Sequence, residues 1–396
     1  MTTANEQAGR GSTRRTGVWF IGARGSVATT ATVGALAVRS GLAGRTGLVG
    51  ELPEVAAAGL VDLGDLVVGG HDVTETPLPK RAEALADAGV VPHHLPGALA
   101  AELAGVDARI RPGVRAAEVP QRAAARALES DLLSFRAAHD LERVVVVDVS
   151  STEPPTPDDV ALSSLAAVER SLDEGSAPLP ASSLYAYAAF RAGCPFVAFT
   201  PSPGPRPAAL QELALDRGLP WAGCDGKTGE TLVKTALAPM FSTRALRVRS
   251  WASYNLLGGG DGATLADPVA AMSKTVTKAA GLEAILGEPV DGPLHIDFVE
   301  DLGDWKTAWD HVSFEGFLGT RMSLQFTWQG CDSALAAPLV LDLVRLVARA
   351  HEVGEAGALP ALGFFFKDPA GSDEHRLSVQ WDALRDWCAR VGEAGR

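Results

Sequence analysis

The chain has 396 residues, 46% of them apolar, which is enough for two closely packed domains with sizeable cores. Its 35 basic and 48 acidic residues give a formal net charge of -13. No basic tract stands out, so nucleic acid and anionic membranes are excluded as main partners and any anion site must be local. Cys194, Cys224, Cys331 and Cys388 show neither zinc-site nor disulfide spacing, which suits a reducing cytosol.

Residues 1–16, polar and small, read as a loose tail. Arg14-Arg15 ahead of the apolar stretch 18–37 has the form of a twin-arginine export signal, but Arg24, Gly22 and Gly25 interrupt it. A nucleotide-binding start accounts for these residues, and a cytoplasmic location is expected. No run of about 18 uninterrupted apolar residues is present, so no membrane span is expected. Residues 17–22 form a short apolar run that stops at glycine, and a helical stretch from Ser26 to about Arg39 follows. The turn between them, Gly22, Ala23, Arg24, Gly25 and Ser26, is a shortened relative of the dinucleotide fingerprint, in which amides at a helix start face a pyrophosphate.

A second apolar run at 63–68 leads into Gly69, Gly70, His71 and Asp72. An acid just past a strand binds ribose hydroxyls in dinucleotide folds, usually about 20 residues beyond the glycines. Asp72 lies farther along, so an inserted segment at 42–60 is required; an ordinary acid in a turn is the alternative. Residues 143–149 give the clearest buried parallel strand, running into Ser150, Ser151 and Thr152, and 195–199 give another, running into Thr200 and Ser202. Hydroxyl-rich loops at strand carboxyl ends are where open α/β sheets bind ligands. With helical stretches at 158–171 and 208–217 between the strands, the first part reads as a doubly wound parallel sheet.

The pattern changes near Pro239. Strand candidates at 247–254, 294–299 and 321–328 are shorter and more alternating, which predicts a second sheet of different build inserted into the first domain. A long apolar helix at 333–350 and a closing helix at 381–391 follow.

Lysine is scarce, with seven residues against twenty-eight arginines, and Lys227, Lys234, Lys274, Lys278, Lys306 and Lys367 all fall in the second half. A compact ammonium can lose its proton when desolvated, whereas arginine effectively cannot, so these positions point to chemistry as well as charge. Asp267-Pro268 predicts a helix start, with the helix reaching about residue 280. Lys274 and Lys278 then share one face, at a cost of roughly 0.2 to 0.5 kcal/mol in an isolated helix. An anion between them reverses that sign; a solvated face is the alternative. Residues 223–231, with Asp225 and Lys227 between glycines, have the composition of an amide-lined loop without Walker spacing. Residues 253–262 run from strand into a glycine tract that allows close backbone approach. Asp332 alone reads as an N-cap, and Lys367 closes an apolar Phe-Phe-Phe run.

Taken together, the segments 223–231, 253–262, 273–278, 303–306 and 331–343 occur in the order and spacing of the inositol 1-phosphate synthases, which the chain resembles over nearly its whole length. The resemblance implies an α/β fold: a doubly wound, Rossmann-like NAD-binding domain (17–240 and 330–396) with an inserted α+β catalytic and tetramerisation domain (241–329). It implies a homotetramer and the redox-neutral, NAD-dependent cyclisation of D-glucose 6-phosphate by oxidation at C5, enolisation, intramolecular aldol closure and reduction. By motif, Lys274, Lys278, Lys306 and Lys367 match the active-site lysines, with Asp225, Asn255, Leu257, Gln325 and Asp332 lining the same pocket. Lys306 and Lys367 are expected at the reacting oxygens and proton transfers, and Lys274 and Lys278 at phosphate or enolate. For NAD the matching residues are Gly22, Ala23, Arg24, Gly25, Ser26, Asp72, Ser150, Ser151, Thr152, Ser202 and Asp225, with a divalent or monovalent cation a further candidate. Asp72 favours NAD over NADP, whose extra phosphate it repels.

Departures from the family pattern sit at cofactor and pocket edges. The nucleotide turn is poorer in glycine and lacks the usual asparagines, Gly259 and Gly260 replace asparagines, and Pro201 and Gly204 alter a common Gly-Ser-Pro-Gln loop. Closure of another sugar phosphate, such as fructose 6-phosphate, and simple NAD-dependent dehydrogenation are the rival readings.

Overall fold

The computed structural model describes residues 15–154, 160–258 and 282–394. In chain order the elements are β1 (Thr16–Ile21), α1 (Ser26–Arg39), α2 (Pro53–Ala56), β2 (Leu66–Asp72), α3 (Leu78–Asp87), α4 (His94–Ala98), α5 (Ala100–Asp107) and β3 (Ile110–Pro112). Then come α6 (Gln121–Ala138), β4 (Arg143–Asp148), α7 (Leu165–Asp173), α8 (Ala181–Arg191), β5 (Phe196–Ala198), α9 (Ala208–Asp216), β6 (Pro220–Gly223) and α10 (Gly229–Thr243). The second half holds β7 (Arg247–Leu257), β8 (Leu294–Phe298), β9 (Trp305–Glu315), β10 (Arg321–Cys331), α11 (Asp332–Glu352), β11 (Gly357–Ala358) and α12 (Leu377–Ala394).

The first sheet has seven strands in the order β11-β6-β5-β4-β1-β2-β3, with every neighbouring pair parallel. Along β1, Val18 and Phe20 enter one core and Trp19 and Ile21 the other, which is what an unbroken apolar run specifies in a sheet covered on both faces. Apolar side chains of α1, α3, α11 and α12 cover one face, and those of α6, α7, α8 and α9 the other. The chain leaves β1 for β2 and β3 on one side and for β4, β5 and β6 on the other. That reversal opens a crevice at the carboxyl ends of β1 and β4.

The second sheet runs β10-β9-β7-β8, with β9 antiparallel to both neighbours and β8 parallel to β7. Its inner face packs on α10, whose Ala238 and Phe241 join Val248, Trp251 and Val312 in a third core. Expected as part of the first domain, α10 thus shares its core with the inserted sheet.

Several local expectations change. Leu63–Asp65 is a 3-10 turn capped by Asp62, and β2 starts after it, so Asp72 is the last residue of the strand rather than one beyond it. The helix expected at 158–171 starts later, as α7, where the Ser164 hydroxyl accepts from Ala167 N at 3.3 Å; residues 155–159 lie outside the described set. The inserted segment near 42–60 is a 3-10 turn, Val49–Glu51, and the short helix α2. Arg345 of α11 holds it by pairing with Glu51 at 2.9 Å and donating to Val61 O at 2.9 Å. The strand β9, which carries Lys306, and the helices α6 and α8 were not anticipated. The helix expected from Asp267, with Lys274 and Lys278, lies outside the described residues, as do Gly259 and Gly260.

Candidate active site

The crevice at the strand ends holds a cavity of about 730 Å³ lined by Gly22, Arg24, Gly25, Asp72, Ser150 and Ser151, among others. Gly22 has φ +81°, and a Cβ there would meet Ser150 Cα at 3.0 Å, so the tight turn needs glycine on both counts. Gly22 N and Ala23 N donate to His71 O, tying the turn to the end of β2 and leaving the start of α1 aimed at the cavity. Asp72 is already committed to the turn: its Oδ2 accepts from Arg24 N at 2.6 Å, and its Oδ1 accepts from Thr74 N and Thr74 Oγ1.

The remaining expected cofactor residues take different places. Ala23 is buried under the turn, Thr152 is half-buried, and Ser26 Oγ is 3.1 Å from Asp304 Oδ1 of the inserted domain. Ser202 is buried behind the wall, where its hydroxyl accepts from Glu153 N at 3.1 Å. Glu153, Gln121 and Tyr185 also line the cavity and were not anticipated; nothing in their local sequence sets them apart. Beneath Ser150, burial pushes the Asp148 carboxyl up to about 6, although Ser150 donates to it from both N and Oγ.

Lys306 and Lys367 each face a carboxylate. Lys367 Nζ donates to Asp225 Oδ1 at 2.8 Å, and Lys306 Nζ lies 3.5 Å from Asp332 Oδ2. Thr228, at the start of α10, places its Oγ1 3.5 Å from Asp332 Oδ1. The chain sets the first pair by laying 223–226 antiparallel to 366–370, with Lys367 N donating to Asp225 O at 2.7 Å and Ala370 N to Gly223 O. Asp225 adopts φ +60°, a conformation aspartate tolerates better than most residues.

Strand register brings in the rest. Leu257 lies opposite Lys306 and Asn255 opposite Ala308, so both share the inner face with the lysine and are buried. Gln325 does not join them. Gly330 pairs with Lys306, and Gln325 is an odd number of residues from Gly330, so alternation turns it to the outer, exposed face opposite His311. Among the expected catalytic residues the structure thus pairs Lys367 with Asp225 and Lys306 with Asp332, and places Asn255 and Leu257 on the sheet face that bears Lys306. Lys274 and Lys278 are outside the described set.

Lys234, given no role by its local sequence, is buried between α10 and the inner face of the inserted sheet. Its ammonium lies 2.6 Å from Glu230 Oε1 and 3.3 Å from Asp310 Oδ1, and donates to Ser253 Oγ at 2.6 Å. The only signal available was its membership in the lysine set. Lys227 turns the other way, into the protein, where it donates to Gln380 of α12; burial brings its pKa down to about 8. Among the described residues, no group of three His, Cys, Asp or Glu side chains is placed to hold a metal ion.

These features define an NAD-binding α/β protein of the Rossmann type, with one lysine–carboxylate pair in its first domain and a second, Lys306 with Asp332, where the inserted sheet joins it. Residues 16–389 match the family model described as myo-inositol-1-phosphate synthase, and the chain belongs to that family. Inositol-3-phosphate synthase 1 of Bacteroides thetaiotaomicron is 34% identical, over 94% of this chain and 95% of its own length. The enzyme of the same name from Rattus norvegicus is 30% identical over 80% of this chain, which spans only 62% of that longer protein. In fold, the chain superposes on inositol-3-phosphate synthase from Caenorhabditis elegans with a TM-score of 0.82 at 21% identity, covering 96% of this chain and 86% of that one. A myo-inositol-1-phosphate synthase-related protein from Thermotoga maritima matches with a TM-score of 0.75 at 23% identity, covering 94% and 98% of the two chains.

Proposed function

We propose that the chain converts D-glucose 6-phosphate to 1L-myo-inositol 1-phosphate with no net redox change. The observation that carries this reading is the presence of two lysines, each seated on its own carboxylate, one of them two residues beyond Asp304, which meets the start of α1. NAD held at Gly22, Gly25 and Ser150 would supply the means to oxidise C5 of the sugar and to reduce it again at the end. Lys367, oriented by Asp225, takes the C5 hydroxyl proton and gives it back. Lys306, oriented by Asp332, takes the C6 proton as a free amine, and the ammonium so formed steadies the developing oxyanion and returns that proton to the C1 oxygen as the ring closes. Lys274 and Lys278 hold phosphate or enolate charge.

Asp304, an acid placed against the pyrophosphate-binding start of α1, would meet a divalent or monovalent cation there, and a counter-cation offsets the repulsion between carboxylate and pyrophosphate. The four cysteines are free and buried, in keeping with a reducing cytoplasm as the place of action. No helix among the described residues is long and apolar enough to cross a membrane. The outer face of the inserted sheet is the surface through which chains assemble into a homotetramer.

Incubation with glucose 6-phosphate and catalytic NAD+ tests the reading. The expected result is an inositol phosphate, identified by NMR, with no net absorbance change at the NADH wavelength. Steady NADH accumulation would identify a simple dehydrogenase instead, and turnover of fructose 6-phosphate but not glucose 6-phosphate would move the reading to another cyclitol.

A further inference from the structure

Arg206 lies on the loop ahead of α9, outside every segment considered so far, and its guanidinium reaches two residues at once. Its Nε is 3.0 Å from Cys224 Sγ, and its Nη2 pairs with the Asp368 carboxylate. Cys224 immediately precedes Asp225, and Asp368 immediately follows Lys367. The same two flanking residues are joined by backbone hydrogen bonds, Cys224 N to Asp368 O at 2.7 Å and Asp368 N to Cys224 O at 3.2 Å. One side chain therefore grips both strands of the short ladder that presents the acid and the lysine.

The other end of Arg206 is equally fixed. Its N donates to Pro203 O at 3.0 Å, and its O accepts from Gln211 Nε2 at 2.6 Å. The same loop carries Ser202, which accepts from the backbone of Glu153, a wall residue of the nucleotide cavity. A continuous path runs from the cofactor crevice through Glu153, Ser202 and Arg206 to the ladder. Burial pushes the Cys224 thiol up to about 11, so at neutral pH it meets the guanidinium as a neutral acceptor and Asp368 supplies the single opposing charge.

We propose that Arg206 is a positioning residue for the cyclisation, registering the Asp225–Lys367 pair against the nucleotide-side loop. The inference rests on the reading of Lys367 as the proton-transfer group. A planar guanidinium with donors in a fixed fork can span thiol and carboxylate together, whereas an ammonium is a single point. The ion pair is itself partly exposed, with side chains 40% and 48% accessible, so its removal should barely affect folding. Small misplacements of a reacting group can cost about a hundredfold in rate, so the effect should appear in turnover instead.

The test compares Arg206→Met, Arg206→Lys and Lys367→Met for melting temperature, NAD affinity, kcat, KM and the pH dependence of kcat. For Arg206→Met the expected result is a fall in kcat of about ten- to a hundredfold with melting temperature and NAD affinity held. The acid limb of its profile should move to higher pH, because loss of the guanidinium removes a positive charge from the ladder that holds the ammonium, and Lys367 must shed its proton before it can act as a base. Arg206→Lys, which can keep the pair with Asp368 but not the thiol contact, should recover part of kcat and return the limb toward its original place. Wild-type kcat and pH profile in Arg206→Met, or a loss that merely tracks a lowered melting temperature, would overturn the inference while an inactive Lys367→Met leaves the lysine's role standing. An active Lys367→Met would remove that role and the inference with it.

Discussion

Lys234 and Asp310 meet across the boundary between α10 and β9, with 3.3 Å between the ammonium nitrogen and Oδ1, and neither is open to bulk solvent. Asp310 also accepts from Trp251 Nε1 at 2.7 Å and from Ser253 Oγ at 2.6 Å, while Glu230 approaches the same ammonium at 2.6 Å. One cation thus serves two buried acids. Burial raises the Asp310 pKa and the Lys234 charge opposes that rise.

Lys234→Met keeps most of the volume but removes the charge both acids depend on. Breaking a buried pair from one side costs about 3–5 kcal/mol, since the partner charge is left uncompensated. We expect a large drop in melting temperature, reversed in good part when Glu230→Gln and Asp310→Asn are added, because amides need no counter-charge. A single variant as stable as the parent in chemical denaturation would show that the network contributes nothing to the fold.

Lys306→Arg keeps the positive charge beside Asp332 but replaces a titratable amine with a group that stays protonated. Turnover should fall by about three orders of magnitude or more, within the range by which acid–base and oxyanion groups contribute. NAD affinity by fluorescence titration should be retained, because the cofactor turn contains no part of Lys306. A variant with near-normal kcat would contradict the assigned role.

Each residue is legible in the sequence only as far as local pattern determines its surroundings. The parallel sheet was legible because Val144 to Val147 are apolar without interruption, a pattern that two-sided burial alone imposes. The inserted sheet was only half legible. Buried Asp310 interrupts the apolar side of β9, so the strand escaped notice, and without β9 there was no register to show that Gln325 faces outward. Lys306 and Lys367 became candidates by lysine scarcity and by motif, but their acids are fixed by contacts spanning up to 142 residues, which no local pattern encodes. Lys234 sits in a helix among apolar neighbours and shows its role only when β7 and β9 are laid against it. Arg206 gave no signal at all, since its meaning lies in two chain neighbours of other residues.

Asp148 gives a pH prediction with a definite sign. Burial pushes its carboxyl up to about 6 from an ordinary 3.8, so between those values the folded protein holds a proton that the unfolded chain has released. Stability contributed by this group is therefore present below the lower value and lost as pH rises through the upper one, by about 3 kcal/mol at most for a shift of this size. Asp148→Asn keeps an acceptor for the Ser150 N–H and hydroxyl but cannot ionise. Its melting temperature should match the parent near pH 4 and exceed it near pH 7.5, and a difference that does not vary with pH would refute the argument.

The inserted sheet also has a face turned away from the lysines. Tyr254, Leu256 and Trp309 are 40%, 39% and 38% exposed on one surface of the inserted sheet, where Tyr254 stacks on His295 with ring centroids 4.9 Å apart and touches Trp309 at 5.7 Å. A contiguous aromatic surface of this kind is unusual on a lone soluble chain and typical of the centre of an interface. If chains assemble there, Trp309→Glu buries a charge at that centre, and aromatic positions of this type commonly carry 2 kcal/mol or more of association energy, so about a thirtyfold or larger weakening is expected. Sedimentation should show the parent as a species of four chains and the variant as smaller species. NAD affinity should persist in the variant, because β9 alternates and Trp309 points away from the side that bears Lys306. A variant that sediments with the parent would mean that chains do not assemble through this face.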